Sequence, residues 1–364
     1  MTHIPDITIV GGGIIGLLTA RELAKAGAQV RILEKRTIGQ ESSWAGGGIL
    51  LPIYPWRQPR AVSDLVRLSL DLYPSLIDEL KMSTDIDPEW SRCGLFISQN
   101  HDIDAAIAWC NHYRIDYQTT PTPFLSHLRM HLINPLWLPN IAHARNPRLL
   151  KSARQDALNN GVELIEHCLL ERIDIVGGKV VSITTQEKRY PVDQIVITAG
   201  AWTKTLFEHY LPDRTAPSIE PIKGQMLLYD APPNTLPCMV LDKDQYLIPR
   251  LDGKILAGSS VERSGFDKST TSEAFDRLKL FAETLCPALN TTPIIKHWAG
   301  LRPGTERGVP YICKHPEIDN LHINTGHFRN GLVMAPASAR LMTDLILGAA
   351  PAIDPTPYDF SSAH

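Results

Sequence analysis

The chain of 364 residues sets 36 Lys and Arg against 39 Asp and Glu, for a net charge of -3, and is 43% hydrophobic and 21% charged. That length holds two domains with cores of their own. The composition excludes a disordered chain, and the charge balance excludes an electrostatic case for nucleic acid.

The first 35 residues read as one βαβ unit. An apolar run, Ile7 to Val10, leads into Gly11-Gly12-Gly13-Ile14-Ile15-Gly16, then a helical stretch from Leu17 to Ala26, and a second run, Val30 to Leu33, that ends in Glu34. This is the strand, glycine turn, helix, strand and terminal acid that a dinucleotide needs. Gly11 permits the tight turn, Gly13 lets backbone approach a pyrophosphate, and Gly16 lets helix and strand sit close. Glu34 suits a ribose diol and repels a 2′-phosphate, so NADP is not expected. The motif leaves NAD and FAD open.

Ser42 to Gly48 is a second glycine-rich turn. Ile49 to Trp56 is apolar and aromatic, a lid or an interface ahead of a membrane contact. Val62 to Leu80 has helical spacing, with a break or kink expected at Pro74. Leu95 to Ser98 reads as a strand, and Pro121 to Pro147 has weak periodicity. Leu149 to Asn159 reads as a helix stopped by Gly161. Val162 to Ile165 and Lys179 to Thr184 read as strands joined through Gly177-Gly178. Gln194 to Thr198 is a buried strand that ends in the small residues Ala199, Gly200 and Ala201, followed by Trp202. Ligands of doubly wound folds sit at such strand ends.

A strand-rich stretch follows, at Gln225 to Asp230, Gln245 to Pro249 and Lys254 to Ser260, the last two joined by an Asp252-Gly253 turn. Thr270 to Glu273 has capping-box spacing ahead of a helix from Ala274 to Leu285. Gly326 to Gly331 then opens a final helix, whose N-terminus offers free N–H groups and partial positive charge. Six cysteines, at 93, 110, 168, 238, 286 and 313, show no CxxC spacing. A metal site is not expected, and reduced thiols fit a cytoplasmic protein. No signal peptide or membrane span is read.

The fold expected is α/β with two interleaved domains. A Rossmann-like nucleotide domain takes 1–85, 145–215 and 296–364, and an antiparallel-sheet substrate domain takes 86–144 and 216–295. Beyond the glycine turn, three residues stand out. Arg302, in Trp298 to Thr305, and Arg329 each present a fork that grips a carboxylate, or else form ordinary ion pairs. Tyr246 has a hydroxyl for the same carboxylate, or is a half-buried sheet tyrosine. His327 reads as a general base or a structural histidine. No Ser/His/Asp, HExxH or Walker arrangement is present.

Taken together, these motifs resemble the glycine oxidases of the D-amino-acid-oxidase superfamily over essentially the whole chain. The matching blocks are residues 8–16, Glu34, Ser42-Ser43 with the Ala45 to Gly48 turn, 221–225, 246–250, 298–305 and 326–332. The resemblance implies noncovalent FAD, because no cysteine lies between Trp298 and Tyr311, where related enzymes tether their flavin. It implies a cofactor-binding set of Gly11, Gly13, Ile14, Ile15, Gly16, Glu34, Lys35, Ser42, Ser43, Ala45, Gly46, Gly47, Gly48, Leu170, Ala199, Gly200, Trp202, His327, Arg329, Asn330, Gly331 and Leu332. Tyr246 and Arg302 map onto the family's carboxylate ligands, and Arg329 onto an arginine that helps close the site.

The reaction implied is oxidative deamination of glycine, sarcosine or small D-amino acids. Hydride moves to flavin N5 without an acid or base residue, and the yield is an oxo acid, ammonia and peroxide for thiazole and thiamine biosynthesis. Asp244 and Val261 stand where the Bacillus-type pattern has a histidine and a methionine, which leaves the substrate range open. The rival reading is a D-amino-acid dehydrogenase passing electrons to a membrane quinone, supported by the apolar 49–56 segment. The expected partners are a small amine or amino acid and O2, in a homo-oligomer.

Overall fold

The computed structural model describes residues 5–120 and 127–361. The opening of the Pro121 to Pro147 stretch therefore lies outside the described residues. In chain order the first half contains β1 (Ile7–Val10), α1 (Ile14–Lys25), β2 (Val30–Leu33), α2 (Ser42–Ala45), α3 (Arg60–Thr84), β3 (Leu95–Ile97), α4 (Ile103–Tyr113), β4 (Leu136–Leu138), α5 (Asn146–Asn159) and β5 (Glu163–Ile165). The second half contains β6 (Leu170–Val176), β7 (Lys179–Thr185), β8 (Arg189–Pro191), β9 (Gln194–Ile197), α6 (Thr203–Tyr210), β10 (Glu220–Tyr229), β11 (Met239–Asp242), β12 (Gln245–Pro249), β13 (Ile255–Gly258), α7 (Ser272–Leu285), β14 (Ile294–Gly304), β15 (Tyr311–Lys314), β16 (Leu321–Thr325) and α8 (Gly331–Leu347).

One sheet has six strands in the order β15-β16-β9-β1-β2-β5. It is parallel from β16 to β5, with β15 antiparallel at one edge. The crossover from β1 to β2 is α1, which buries Leu17, Ala20 and Leu23 against neighbouring elements. The second sheet has seven strands in the order β14-β10-β13-β12-β11-β3-β4. Its neighbours are antiparallel except β11 and β3, which run parallel. β14 runs past residue 296 and pairs with β10 from Ile294 to Gly304. Trp298 to Gly304 thus belong to the seven-stranded sheet, although residue 296 had been expected to reopen the nucleotide domain. A small sheet, β6-β7-β8, lies between α5 and β9 in the chain.

Local expectations failed where tertiary contact outweighs local signal. Gly177-Gly178 joins β6 to β7, and β6 carries no period-2 signal because only Leu170 and Ile173 of Leu170–Val176 are buried, three residues apart. α4, β4 and β11 were also unread. β4 has three residues and stands only because it pairs with β3. The cap of α7 is Thr271, whose hydroxyl accepts from the Ala274 backbone N–H at 3.3 Å, one residue beyond the expected position.

α3 continues through Pro74 without a break. It also repairs α8, which contains Pro336. A proline cannot donate to the carbonyl four residues back, which here is Leu332. The Tyr73 hydroxyl on α3 donates to that carbonyl, and Ser69 accepts from the Ala337 N–H at 3.1 Å. The repair keeps the first turns of α8 in place, and these turns face the cavity described next.

Candidate active site

One cavity is lined by the β1–α1 turn, the end of β2, α2 and the glycines after it, the residues after β9, strands β10, β12 and β14 of the seven-stranded sheet, and the start of α8. At the first turn, Gly11 has φ +115°, and a Cβ there would meet Thr198 O at 2.6 Å. A Cβ on Gly13 would meet Ser43 Oγ at 3.2 Å, and Ser43 Oγ already accepts from the Ile14 N–H at 3.0 Å. Bare backbone therefore faces the space at Gly13. The Glu34 carboxylate accepts from the Gly12 N–H at 2.8 Å and the Arg36 N–H at 2.9 Å, which holds it at the cavity wall. The Lys35 ammonium sits 3.8 Å from the ring centre of Trp202.

The second glycine turn is pinned from the other sheet. Buried Arg250, at the end of β12, donates to Gly47 O at 2.8 Å and to Ala144 O at 3.0 Å. Asn146 donates to Ser43 O at 2.7 Å, while its Oδ1 is buried without a partner among the described residues. Trp298 Nε1 donates to Ala45 O at 3.0 Å.

Arg302 and Tyr246 come together from β14 and β12, strands separated in the sheet by β10 and β13. Arg302 donates to Lys223 O at 3.3 Å, Ser260 O at 3.1 Å and Ser259 Oγ at 2.9 Å, all neutral acceptors. Burial pushes its guanidinium down to about 10, with the Tyr246 hydroxyl working against the shift and Arg329 adding to it. Glu262 also favours the charged form, but a half-buried cation hydrogen-bonded only to neutral groups still gains from an anion that joins it. The Tyr246 hydroxyl donates to Met226 Sδ at 3.6 Å. Among the described residues, Arg329 Nη2 is buried without a hydrogen-bond partner.

A family model described as FAD dependent oxidoreductase matches residues 6–345. A glycine oxidase of Pseudomonas putida is 43% identical, over 97% of both chains, and one of Pseudomonas aeruginosa is 42% identical, over 97% of both. The chain belongs to the glycine oxidase family of FAD-dependent oxidoreductases. The crystal structure of a glycine oxidase from Geobacillus kaustophilus superposes with a TM-score of 0.91 at 27% identity, covering 99% of each chain.

The residues present fit this flavoenzyme's cofactor. The bare turn at Gly11 and Gly13 and the open N-terminus of α8 at Gly331 suit an anionic, polar ligand. The partnerless Asn146 Oδ1 and Arg329 Nη2 mark groups that await one. No cysteine is among the cavity-lining residues.

Of the residues expected from sequence to hold cofactor or substrate, all line the cavity except Gly16. A Cβ on Gly16 would collide with Gly11 O and meet Thr198 Oγ1 at 2.8 Å, so Gly16 serves helix–strand packing and not the ligand. His327 is a structural histidine. Its Nε2 lies 3.0 Å from Ser338 Oγ, and burial pulls its pKa down to about 3.

The apolar segment is turned inward. Leu50, Leu51 and Tyr54 are buried, and Ile49, Leu51 and Ile53 line the cavity. The Tyr54 hydroxyl donates to Gln99 O and Lys243 O, tying the segment to the seven-stranded sheet. This removes the observation that favoured a quinone-linked dehydrogenase. Among the described residues no helix is long and apolar enough to cross a membrane. Neither Asp244 nor Val261 lines the cavity.

Sequence reading missed Asn146, Thr198, Met226 and Gly224 as cavity residues. Gly224 and Arg250 lay inside matched blocks without a role, Thr198 ends the strand at which a ligand is expected, and Asn146 and Met226 carried no local signal.

Proposed function

We propose that the chain oxidatively deaminates glycine and other small amines and amino acids, such as sarcosine and small D-amino acids, consuming O2 and water and giving an oxo acid, peroxide and the released amine, which is ammonia from glycine or a D-amino acid and methylamine from sarcosine. The observation that carries this is Arg302, a half-buried guanidinium hydrogen-bonded only to neutral groups, beside the Tyr246 hydroxyl at the cavity wall. A substrate carboxylate supplies the missing charge, and a guanidinium can hold it through two parallel hydrogen bonds. Tyr246 supplies one more donor, and Arg329 helps close the site. Met226, Ile49 and Leu51 give the pocket apolar walls that exclude water. That leaves room for a small amine in its neutral form.

FAD, when bound, accepts the two electrons of the oxidation and passes them to O2. The residues proposed to hold it are Gly11, Gly13, Ile14, Ile15, Glu34 and Lys35 on one side. Ser42, Ser43, Ala45, Gly46, Gly47, Gly48, Leu170, Ala199, Gly200 and Trp202 form the middle, and His327, Arg329, Asn330, Gly331 and Leu332 the far end. The protein's part is position and electrostatics. No side chain in the cavity needs to act as a base, and His327 is held neutral by burial. In the same reading, the parallel sheet and its helices form the cofactor domain and the seven-stranded sheet the substrate domain. The product feeds thiazole formation, as the resemblance implies.

The test is anaerobic. Purified protein with bound flavin is mixed with glycine, sarcosine and D-alanine, and flavin absorbance is followed before and after air is admitted. Bleaching by small amino acids, then peroxide on aeration, is the expected result. A flavin that none of them bleaches would sink the proposal. Bleaching with fast dye reduction but little peroxide would instead revive the dehydrogenase.

A further inference from the structure

The loop between β13 and α7, residues 259–271, leaves the seven-stranded sheet and reaches the cofactor side of the cavity. Two of its side chains make contacts there. Phe266, which is 44% exposed, stacks on Trp202 with ring centres 5.7 Å apart and planes at 28°. Lys268 donates to the Glu41 carboxylate at 2.9 and 3.1 Å. Trp202, Glu41 and Lys35 line the cavity, whereas Phe266 and Lys268 do not. They act on the wall from outside. Phe266, Trp202 and the Lys35 ammonium thus lie in contact one after another, with Lys35 3.8 Å from the Trp202 ring centre.

The base of the loop is anchored separately. Buried Lys223 donates to Asp267 Oδ2 at 3.3 Å and to Ser269 O at 3.2 Å, and it exchanges backbone hydrogen bonds with Glu262 at 2.9 Å. Asp267 in turn accepts from the Ser269 N–H at 2.9 Å. Lys223 therefore holds the loop from the sheet at Asp267 and Ser269, and the adjacent Phe266 and Lys268 add one ring contact and one ion pair on the cofactor side.

We propose that residues 261–271 are a clasp that retains FAD, with Phe266 and Lys268 as its two catches. This rests on the placement of FAD proposed above. With the catches closed, Trp202 and Glu41 are braced from the substrate sheet and cannot swing away from the ligand. With them open, that wall keeps its contacts with β10 and β14, among them the Trp298 hydrogen bond to Ala45 O, but loses the brace from the loop. The clasp thus slows cofactor release without touching Arg302 or Tyr246. Both catches are partly exposed, so each is worth a modest factor. The ion pair should slow release about two- to fivefold, the ring pair roughly two- to tenfold, and the two together on the order of tenfold.

The experiment measures FAD release from the holoenzyme by the rise of free flavin fluorescence after dilution, for the parent, Phe266→Ala, Lys268→Ala, the double variant and Lys268→Arg. Flavin stoichiometry and the melting temperature of each apoprotein are measured alongside. Faster release in both alanine variants, about tenfold in the double, parental release in Lys268→Arg and unchanged apoprotein melting are the expected results. A double variant that releases FAD within twofold of the parent overturns the clasp. So does apoprotein melting that falls in step with release, because the loop would then support only the fold. Protein that takes up no flavin at all overturns the functional reading itself, and the stoichiometry separates that outcome from the others.

Discussion

Gly224→Ala should injure the reaction more than the fold. Gly224 lies on β10 directly beside the guanidinium of β14, in register with Gly300. A Cβ there would stand closer than 3.0 Å to Nη1, Nη2 and Cζ of Arg302, where ordinary contact begins at 3.4 Å. The guanidinium must give way by about 1 Å, and a misplacement of that size can cost on the order of 100-fold in rate. The atoms in the way are the free end of a side chain and not backbone, so the sheet need not move. The stability cost should be limited to strained hydrogen bonds at Lys223 O, Ser260 O and Ser259 Oγ, about 1–3 kcal/mol. The assay is kcat/KM for glycine by peroxide release, normalised to bound flavin, with thermal melting alongside. A flavin-loaded variant within threefold of the parent would refute the argument that Arg302 must stand where it does.

Arg302→Ala should keep FAD and lose about 3–5 kcal/mol of substrate interaction, the penalty for stranding a buried carboxylate. An unchanged KM for glycine would remove Arg302 from the site. Tyr246→Phe should cost about 1 kcal/mol, as for a single hydrogen bond, read in the same kinetics. An effect of several kcal/mol would mean another role for the hydroxyl. Acid should destabilise the protein through its buried histidines. Burial lowers His327 and His143 from 6.5 to about 3 and His322 to about 4. The unfolded chain then binds protons that the folded chain refuses, so this stability is complete above about pH 6.5 and is lost as pH falls toward 3. Thermal melting between pH 8 and 4 should show the decline, with a shallower slope in His327→Gln. An identical slope in that variant would exclude His327 as a contributor.

What was legible in the sequence was local or glycine-marked. The βαβ unit from Ile7 to Glu34 is legible because its strands, helix and turn are specified within 28 consecutive residues and leave a periodic apolar trace. The second glycine turn and the start of α8 were legible because backbone that must approach a ligand excludes side chains. Strands that exist through distant partners were not legible. β4 needs β3, β11 needs both β3 and β12, and β14 is not legible because its pairing with β10 has no sign within residues 294–304.

The sequence by itself determined that the chain binds an adenine dinucleotide, through the spacing of Gly11, Gly13 and Glu34, and the matched blocks named the flavoenzyme family. Only the tertiary structure decided how each residue is used. Gly16 keeps the packing role read from its place in the turn, since a Cβ there would collide with Gly11 O. The apolar segment after Gly48, read as a lid or an interface ahead of a membrane contact, forms cavity wall, and Tyr54 ties it to the seven-stranded sheet. Arg302, singled out in the sequence as a carboxylate ligand, gained its physical reason from the fold, because every group that accepts a hydrogen bond from it is neutral. Charge balance at a buried point is a sum over neighbours distant in sequence, and folding is what brings those neighbours together.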